Sequence, residues 1–326
     1  MKGQLTSKRN ILLPGFLLLF IVGLFGFIGT LGIVKAVEDY ETGKFWSKTL
    51  FMPLIFIPFV LYSVYYFLTY FPSFRIDING IEVSTIFKTK NYSWTEIKEI
   101  QITGKQPCKF LFVSMPVEAT TINLLDNSEI YLWVDYYRNK SDLRVVLERA
   151  NDILQANKQF STLNFNTDRP KFTDQFVNDF NGNEFNGNHF LTFNGLVFYG
   201  WFAFFAYLFI IKDNNPFSNI IGLIILPILI LSFPALFSYQ MHYFIVGQKF
   251  LIIKNTIWFW RKDIYKLTDI REVVIETPHR LSTSLRVITN DYRDKLYPAG
   301  SLSDKTWRDM MRQLQNSKVK VRNEAV

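Results

Sequence analysis

Four stretches of this chain carry no Asp, Glu, Lys or Arg: Ile11–Val34, Thr49–Phe74, Phe190–Ile211 and Pro216–Tyr243. They are 24, 26, 22 and 28 residues long. A helix needs roughly 20 apolar residues to cross the hydrocarbon core of a bilayer. Buried helices of soluble proteins are usually shorter and keep a polar stripe. The four runs therefore predict four transmembrane helices, at about 11–34, 50–72, 190–211 and 217–239. They also account for the 33 Phe and the mean hydropathy of +0.09. Lys2, Lys8 and Arg9 precede the first run, as in a signal peptide. That run exceeds the usual 7–15 residues of such a segment and no small-x-small cleavage site follows it, so the reading is an uncleaved span.

The runs group into two hairpins. The connectors Lys35–Lys48 and Lys212–Asn215 are short, whereas residues 73–187 and 241–326 hold 13 and 16 basic side chains. The positive-inside rule puts both termini and both long segments in the cytoplasm, and the short connectors outside. The expected location is the inner (plasma) membrane, multi-pass. The single thiol, Cys108, cannot form an internal disulfide and reads as a strand residue.

One phrase occurs twice. Tyr92–Ile102 reads YSWTEIKEIQI and Tyr265–Ile275 reads YKLTDIREVVI. Around each copy the order of signals is the same. In the first segment Ile76, Ile78, Ile81 and Val83 flank the hairpin signal Asn79-Gly80. Asp126-Asn127 breaks a later pair of strands, and Ser141–Leu154 follows with Leu143, Val146, Leu147 and Ala150 on one helical face. In the second, Gly247 marks a turn, TIWFW reads as a strand and Asn290-Asp291 as a break. The helix 303–314 then carries Trp307, Met310, Met311 and Leu314 on one face. Each segment is expected to form six or seven strands closed by one helix, with the repeated phrase as a core strand.

The strand pair ending at Gly80-Ile81, the run Trp94-x-x-Ile97-x-x-Ile100 and the closing helix resemble the pleckstrin-homology-like (PH-like) fold. More narrowly, the chain looks like the bacterial PH-like membrane proteins in which two spans precede the domain. The resemblance implies an α+β membrane protein: two transmembrane hairpins, each followed by a cytoplasmic PH-like β-barrel or sandwich capped by a C-terminal helix. The expected organisation is a tail and first hairpin (1–72), a first PH-like domain (73–158), a linker (159–188), a second hairpin (189–240), a second PH-like domain (241–318) and a basic tail (319–326). Within the linker, Thr173–Phe180 reads as a short amphipathic helix.

Chemistry is scarce. The sequence holds no H-E-x-x-H, C-x-x-C, G-x-S-x-G, Walker or Rossmann pattern. The runs carry no ionisable group well inside them, which argues against a proton-coupled transporter or intramembrane protease. No enzyme activity, cofactor, metal or nucleic-acid partner is expected. Charge divides unevenly: residues 73–187 sum to −2 and residues 241–326 to +7. Anionic headgroups attract such a module by roughly 1 kcal/mol per juxtamembrane cation. Two clusters are candidates for that contact. Trp258, Trp260, Arg261 and Lys262 form one, with the two Trp on one strand face; Lys305, Arg308 and Arg312 on the closing helix form the other. A core strand ending in a solvated turn, and a solvated helix face, are the blander readings and are favoured. Gly23, Gly26, Gly29 and Gly32 in the first span are candidates for close helix packing, within a bundle or against a second copy. The expected role is non-enzymatic: two cytoplasmic modules binding a protein partner, or self-assembling, at the membrane. Anionic-lipid sensing and an accessory-subunit role are the alternatives.

Overall fold

The computed structural model describes residues 3–10, 12–43, 50–110, 113–167, 181–211, 237–278 and 282–325. The chain divides into two units, Met1–Asp168 and Arg169–Val326. Both are α+β with mainly antiparallel sheets.

The first unit opens with β1 (Gln4–Thr6), followed by α1 (Leu12–Glu41) and α2 (Phe51–Tyr70). Among the described residues these are the two helices long and apolar enough to cross a membrane. They pack as an antiparallel hairpin through Phe25 against Phe56 and Phe59. α1 continues to Glu41, so the expected connector from Lys35 is helical over half its length, and the chain turns at Gly43 with φ +82°. Then come β2 (Ser73–Asp77), β3 (Gly80–Ser84), β4 (Thr89–Ser93), β5 (Ile97–Gln101), β6 (Lys105–Phe110), β7 (Val113–Leu124), β8 (Glu129–Trp133) and α3 (Lys140–Gln155). One sheet runs β1-β2-β3-β4 and a second runs β5-β7-β6, with β8 also on β7. The Asn79-Gly80 hairpin is real. A Cβ at Gly80 would lie 2.0 Å from the Tyr92 carbonyl oxygen, so only glycine fits. Asn127 takes φ 63° at the second predicted break, a conformation Asn tolerates.

α3 buries the expected face against the sheet: Leu143, Val146, Leu147 and Ala150. Its N-cap is Asn139, whose side chain does not cap the helix. Instead it accepts from Lys8 N at 2.7 Å and donates to the Thr6 carbonyl at 2.9 Å, holding β1 in place. Trp94 sits in a 3-10 turn ahead of β5 rather than in the strand. Its ring stacks on Phe160 at 4.6 Å, and its Nε1 donates to the Asp77 carbonyl at 3.1 Å. Beneath the second sheet Arg144 of α3 pairs with Glu118 of β7 at 2.8 Å, both fully buried.

The second unit has β9 (Gly182–Phe185), α4 (Phe193–Ile211), β10 (His242–Gly247), β11 (Phe250–Asn255), β12 (Lys262–Lys266), β13 (Ile270–Glu276), β14 (Ser284–Thr289), β15 (Asp294–Pro298), α5 (Asp304–Asn316) and β16 (Val321–Glu324). The sheets run β12-β11-β10-β9 and β15-β14-β13-β16. Leu267 occupies the 3-10 turn before β13, and Trp307, Met310 and Leu314 of α5 close the core.

Several expectations change. α4 carries the third apolar run, while residues 212–236, with most of the fourth, lie outside the described residues, as does Thr173–Phe180. Two candidate spans rather than four are therefore in view. Residues 182–185, read as linker, form a strand on β10, with Phe185 opposite Phe244. The basic tail is ordered as β16, parallel to β13. Its cations meet a buried acid: Lys320 and Arg322 lie 3.2 and 3.8 Å from the Glu272 carboxylate. Arg271, the neighbouring residue of the repeated phrase, covers the Tyr292 ring at 4.4 Å.

Candidate functional site: the aromatic loop beside β10

TIWFW is not a strand. Residues 256–261 form the loop between β11 and β12. Asn255, the last residue of β11, builds it. Its Oδ1 accepts from the backbone N–H groups of Ile257 and Trp258, both at 2.9 Å, an Asx turn. Its Nδ2 donates to the Ser238 carbonyl at 2.8 Å. Trp258 Nε1 donates to Ser238 Oγ, also at 2.8 Å. The loop is thus bolted to the chain just ahead of β10, where the fourth apolar run ends.

This anchoring sorts the aromatic residues. Trp258 is half-buried against Ser238, with the Arg261 guanidinium over its ring at 5.4 Å. Trp260 meets Trp258 edge-to-face at 5.4 Å but is 60% exposed. Phe259 at the tip is 77% exposed. Arg261 and Lys262 follow, both exposed. Two large aromatics pointing into solvent beside two cations suit a boundary that is apolar on one side and anionic on the other. Sequence reasoning placed the two Trp on one strand face because it missed Asn255. The Asn-Thr step after an apolar run was the available signal for a turn.

A cleft opens beside the loop, lined by Tyr239, His242, Trp258, Arg261, Asp263 and Lys295. Lys295 pairs with Asp263 at 2.7 Å. His242 Nδ1 lies 2.9 Å from the Pro298 carbonyl, and burial holds its pKa below the ordinary 6.5. Burial also raises the Tyr265 phenol, to about 12. The cleft is therefore aromatic-walled and holds a neutral imidazole and a paired lysine at neutral pH. Among the described residues no group of three or more His, Cys, Asp or Glu could hold a metal ion.

The second predicted cluster stands apart. Lys305, Arg308 and Arg312 are exposed on the outer face of α5, and Arg312 lies 3.6 Å from Asp309 one turn away. α5 meets β10 through Gln313 and the Val246 carbonyl, near the far end of that strand from Ser238. The four glycines also divide. A Cβ at Gly32 would lie 2.7 Å from Pro53 Cδ, and one at Gly29 would lie 3.1 Å from Ile57, so these two set the α1–α2 approach. Gly23 and Gly26 have nothing within 4 Å. No protein-family model and no curated protein matches the sequence.

Proposed function

We propose that this chain is a multi-pass inner-membrane protein with four spans, carrying two non-enzymatic PH-like modules related by internal duplication on its cytoplasmic side. The second module engages anionic lipid headgroups through Trp258, Phe259, Trp260, Arg261 and Lys262. The observation that carries this reading is the Asn255–Ser238–Trp258 anchor. It fixes two solvent-exposed aromatics and two cations at the point where an apolar run gives way to β10. Apart from β6 and β16, the order of strands, 3-10 turn and closing helix is shared by the two units, which supports the duplication. A headgroup contact of this kind joins aromatic insertion to an electrostatic term that salt weakens.

Lipid retention by the full-length protein, measured by native mass spectrometry against mixed anionic and zwitterionic lipids, tests the reading. Arg261→Ala/Lys262→Ala should selectively lower anionic retention, and added salt should shrink the difference. Unchanged retention in the double variant would overturn it. A second reading, self-association, is favoured by the open Gly23 and Gly26 beside exposed Leu19, Leu24 and Phe27. Mass measurement of the detergent-purified protein separates the two: a homogeneous oligomer that Gly26→Leu breaks supports self-association.

A further inference from the structure

Among the described residues, the first unit carries an element with no counterpart in the second. β7 is 12 residues long, but only its C-terminal half lies between β5 and β8. Its first half pairs with β6 alone, from Lys105↔Glu118 out to Phe110↔Val113. This two-stranded arm is about 16 Å long at the usual strand rise. In the second unit β13 and β14 pair over their common length and stop.

The arm lies along α2. At its base Trp133, paired with Ala119 of β7, stacks on Tyr70 at 5.8 Å. Further out, Lys109 N donates to Tyr70 Oη at 3.3 Å, and Cys108 Sγ lies 3.6 Å from Tyr66 Oη. Tyr66 stands one helical turn, about 6 Å, back from the end of α2. The arm therefore climbs the helix away from its sheet. A separate element reaches the same height: in the β3–β4 loop, Phe87 stacks on Tyr65 at 6.3 Å, and both Ile86 and Phe87 are exposed. The end of α2 is dense in aromatics, with Tyr62, Tyr65, Tyr66 and Tyr70. Such a belt marks the water–bilayer boundary.

The composition of the arm selects its partner. Pro107 sits opposite Pro116. Proline removes backbone donors from a strand, which disfavours pairing with a further strand. The arm's inner face, Cys108 and Val117, is buried. We infer that the β6–β7 arm and the β3–β4 loop form a two-pronged anchor that enters the headgroup–acyl boundary of the bilayer on either side of the α2 aromatic belt. The partner is lipid. The inference rests on α2 being a membrane span.

Single-cysteine variants of the full chain in a Cys108→Ala background test it. A small fluorophore is attached at Ser114→Cys on the arm, Ile86→Cys on the loop, Ser128→Cys at the opposite end of β7, or Leu54→Cys on the exposed face of α2. Each protein is reconstituted into phosphatidylcholine vesicles with brominated acyl chains. Ser114→Cys and Ile86→Cys should be quenched several-fold more than Ser128→Cys and approach Leu54→Cys. Quenching at Leu54→Cys without quenching at the two prongs overturns the anchor but leaves the span. No quenching at Leu54→Cys overturns both. Blue-shifted but unquenched emission at the prongs means that protein covers them, which also overturns the lipid assignment.

Discussion

Glu272 is a buried carboxylate, 2% exposed, whose charge is met only at ion-pair distance by Lys320 and Arg322 of β16. The Lys320 side chain is 71% exposed, so water already solvates most of it. Lys320→Ala alone should therefore cost about 0–1 kcal/mol, the range of a surface pair. Replacing both cations leaves an uncompensated acid inside the sheet, and that situation costs about 3–5 kcal/mol. The energy is stored where β16 docks, because Val273 N donates to the Lys320 carbonyl at 2.9 Å. Hydrogen exchange of the full-length protein, followed by mass spectrometry over β13, reads it directly. Lys320→Ala/Arg322→Ala should speed exchange there by roughly two to nearly four powers of ten, at about 1.4 kcal/mol per tenfold. Adding Glu272→Gln should return most of the protection, since a neutral amide needs no counter-charge. If the double variant exchanges like the parent, or exchanges equally fast with Gln at 272, the electrostatic account of the docked tail is wrong.

The Arg144–Glu118 pair gives a parallel test in the first unit: Arg144→Leu alone should cost about 3–5 kcal/mol, whereas Arg144→Leu/Glu118→Leu should be nearly neutral. Thermal unfolding in detergent decides, and equal losses would sink the argument. His242 has a folded pKa below its ordinary 6.5, so the unfolded chain binds more protons and the second unit should lose stability as pH falls below 6.5. His242→Gln should flatten that slope, and an unchanged pH profile would show that His242 does not set it. Gly32→Leu must displace Pro53 and Met52 and should lower the thermal aggregation midpoint, while Gly26→Leu faces open space and should not. A matching drop for Gly26→Leu would show that this face of α1 is packed.

What could be read from the sequence was what local pattern encodes. The two long apolar helices, the Asn79-Gly80 hairpin and the buried faces of α3 and α5 each follow from a short window of residue spacing. The repeated phrase divided into a core and a surface part. Ile97 and Ile100, and Ile270 and Val273, are all buried; strict alternation would put residues three apart on opposite faces, but each pair spans a register shift, between Ile97 and Glu99 and between Ile270 and Glu272. The roles of Arg271 and Glu272 lie outside any local window, because their partners are Tyr292, about 20 residues on, and β16, about 50 residues on. Among the described residues no such strand lies beside β5, and Glu99, the matching residue of the first unit, is exposed. Instead Ile100 N, which matches Val273 N, is satisfied by the Asn151 side chain of α3 at 3.0 Å. Two copies of one phrase thus solve the same edge-donor problem differently, and only the second needed a buried acid. The aromatic loop was misread for a related reason: strand propensity in TIWFW is high, but Asn255 diverts the backbone before the strand can continue.

β1 and β9 were missed because nothing local marks them. Gln4–Thr6 and Gly182–Phe185 are three and four residues long and carry no alternation worth counting. Their reason to be strands lies beyond the apolar helices: β1 pairs with β2, Gln4 opposite Asp77, and β9 pairs with β10. In the first unit the entropy of closing so long a loop is offset by α1 and α2, whose antiparallel packing returns the chain beside its starting point. Once Thr6 and Arg75 are neighbours, three residues suffice to extend the sheet. It follows that neither module is a contiguous segment. A fragment starting at residue 73 or 241 loses the strand that covers β2 or β10 and leaves a bare edge of the kind that aggregates. The sheet is built across the root of the helical hairpin, so the chain enters and leaves α1–α2 through paired strands with no slack linker. That arrangement fixes the orientation of the arm and the β3–β4 loop on α2, which is what an anchor at a fixed depth requires.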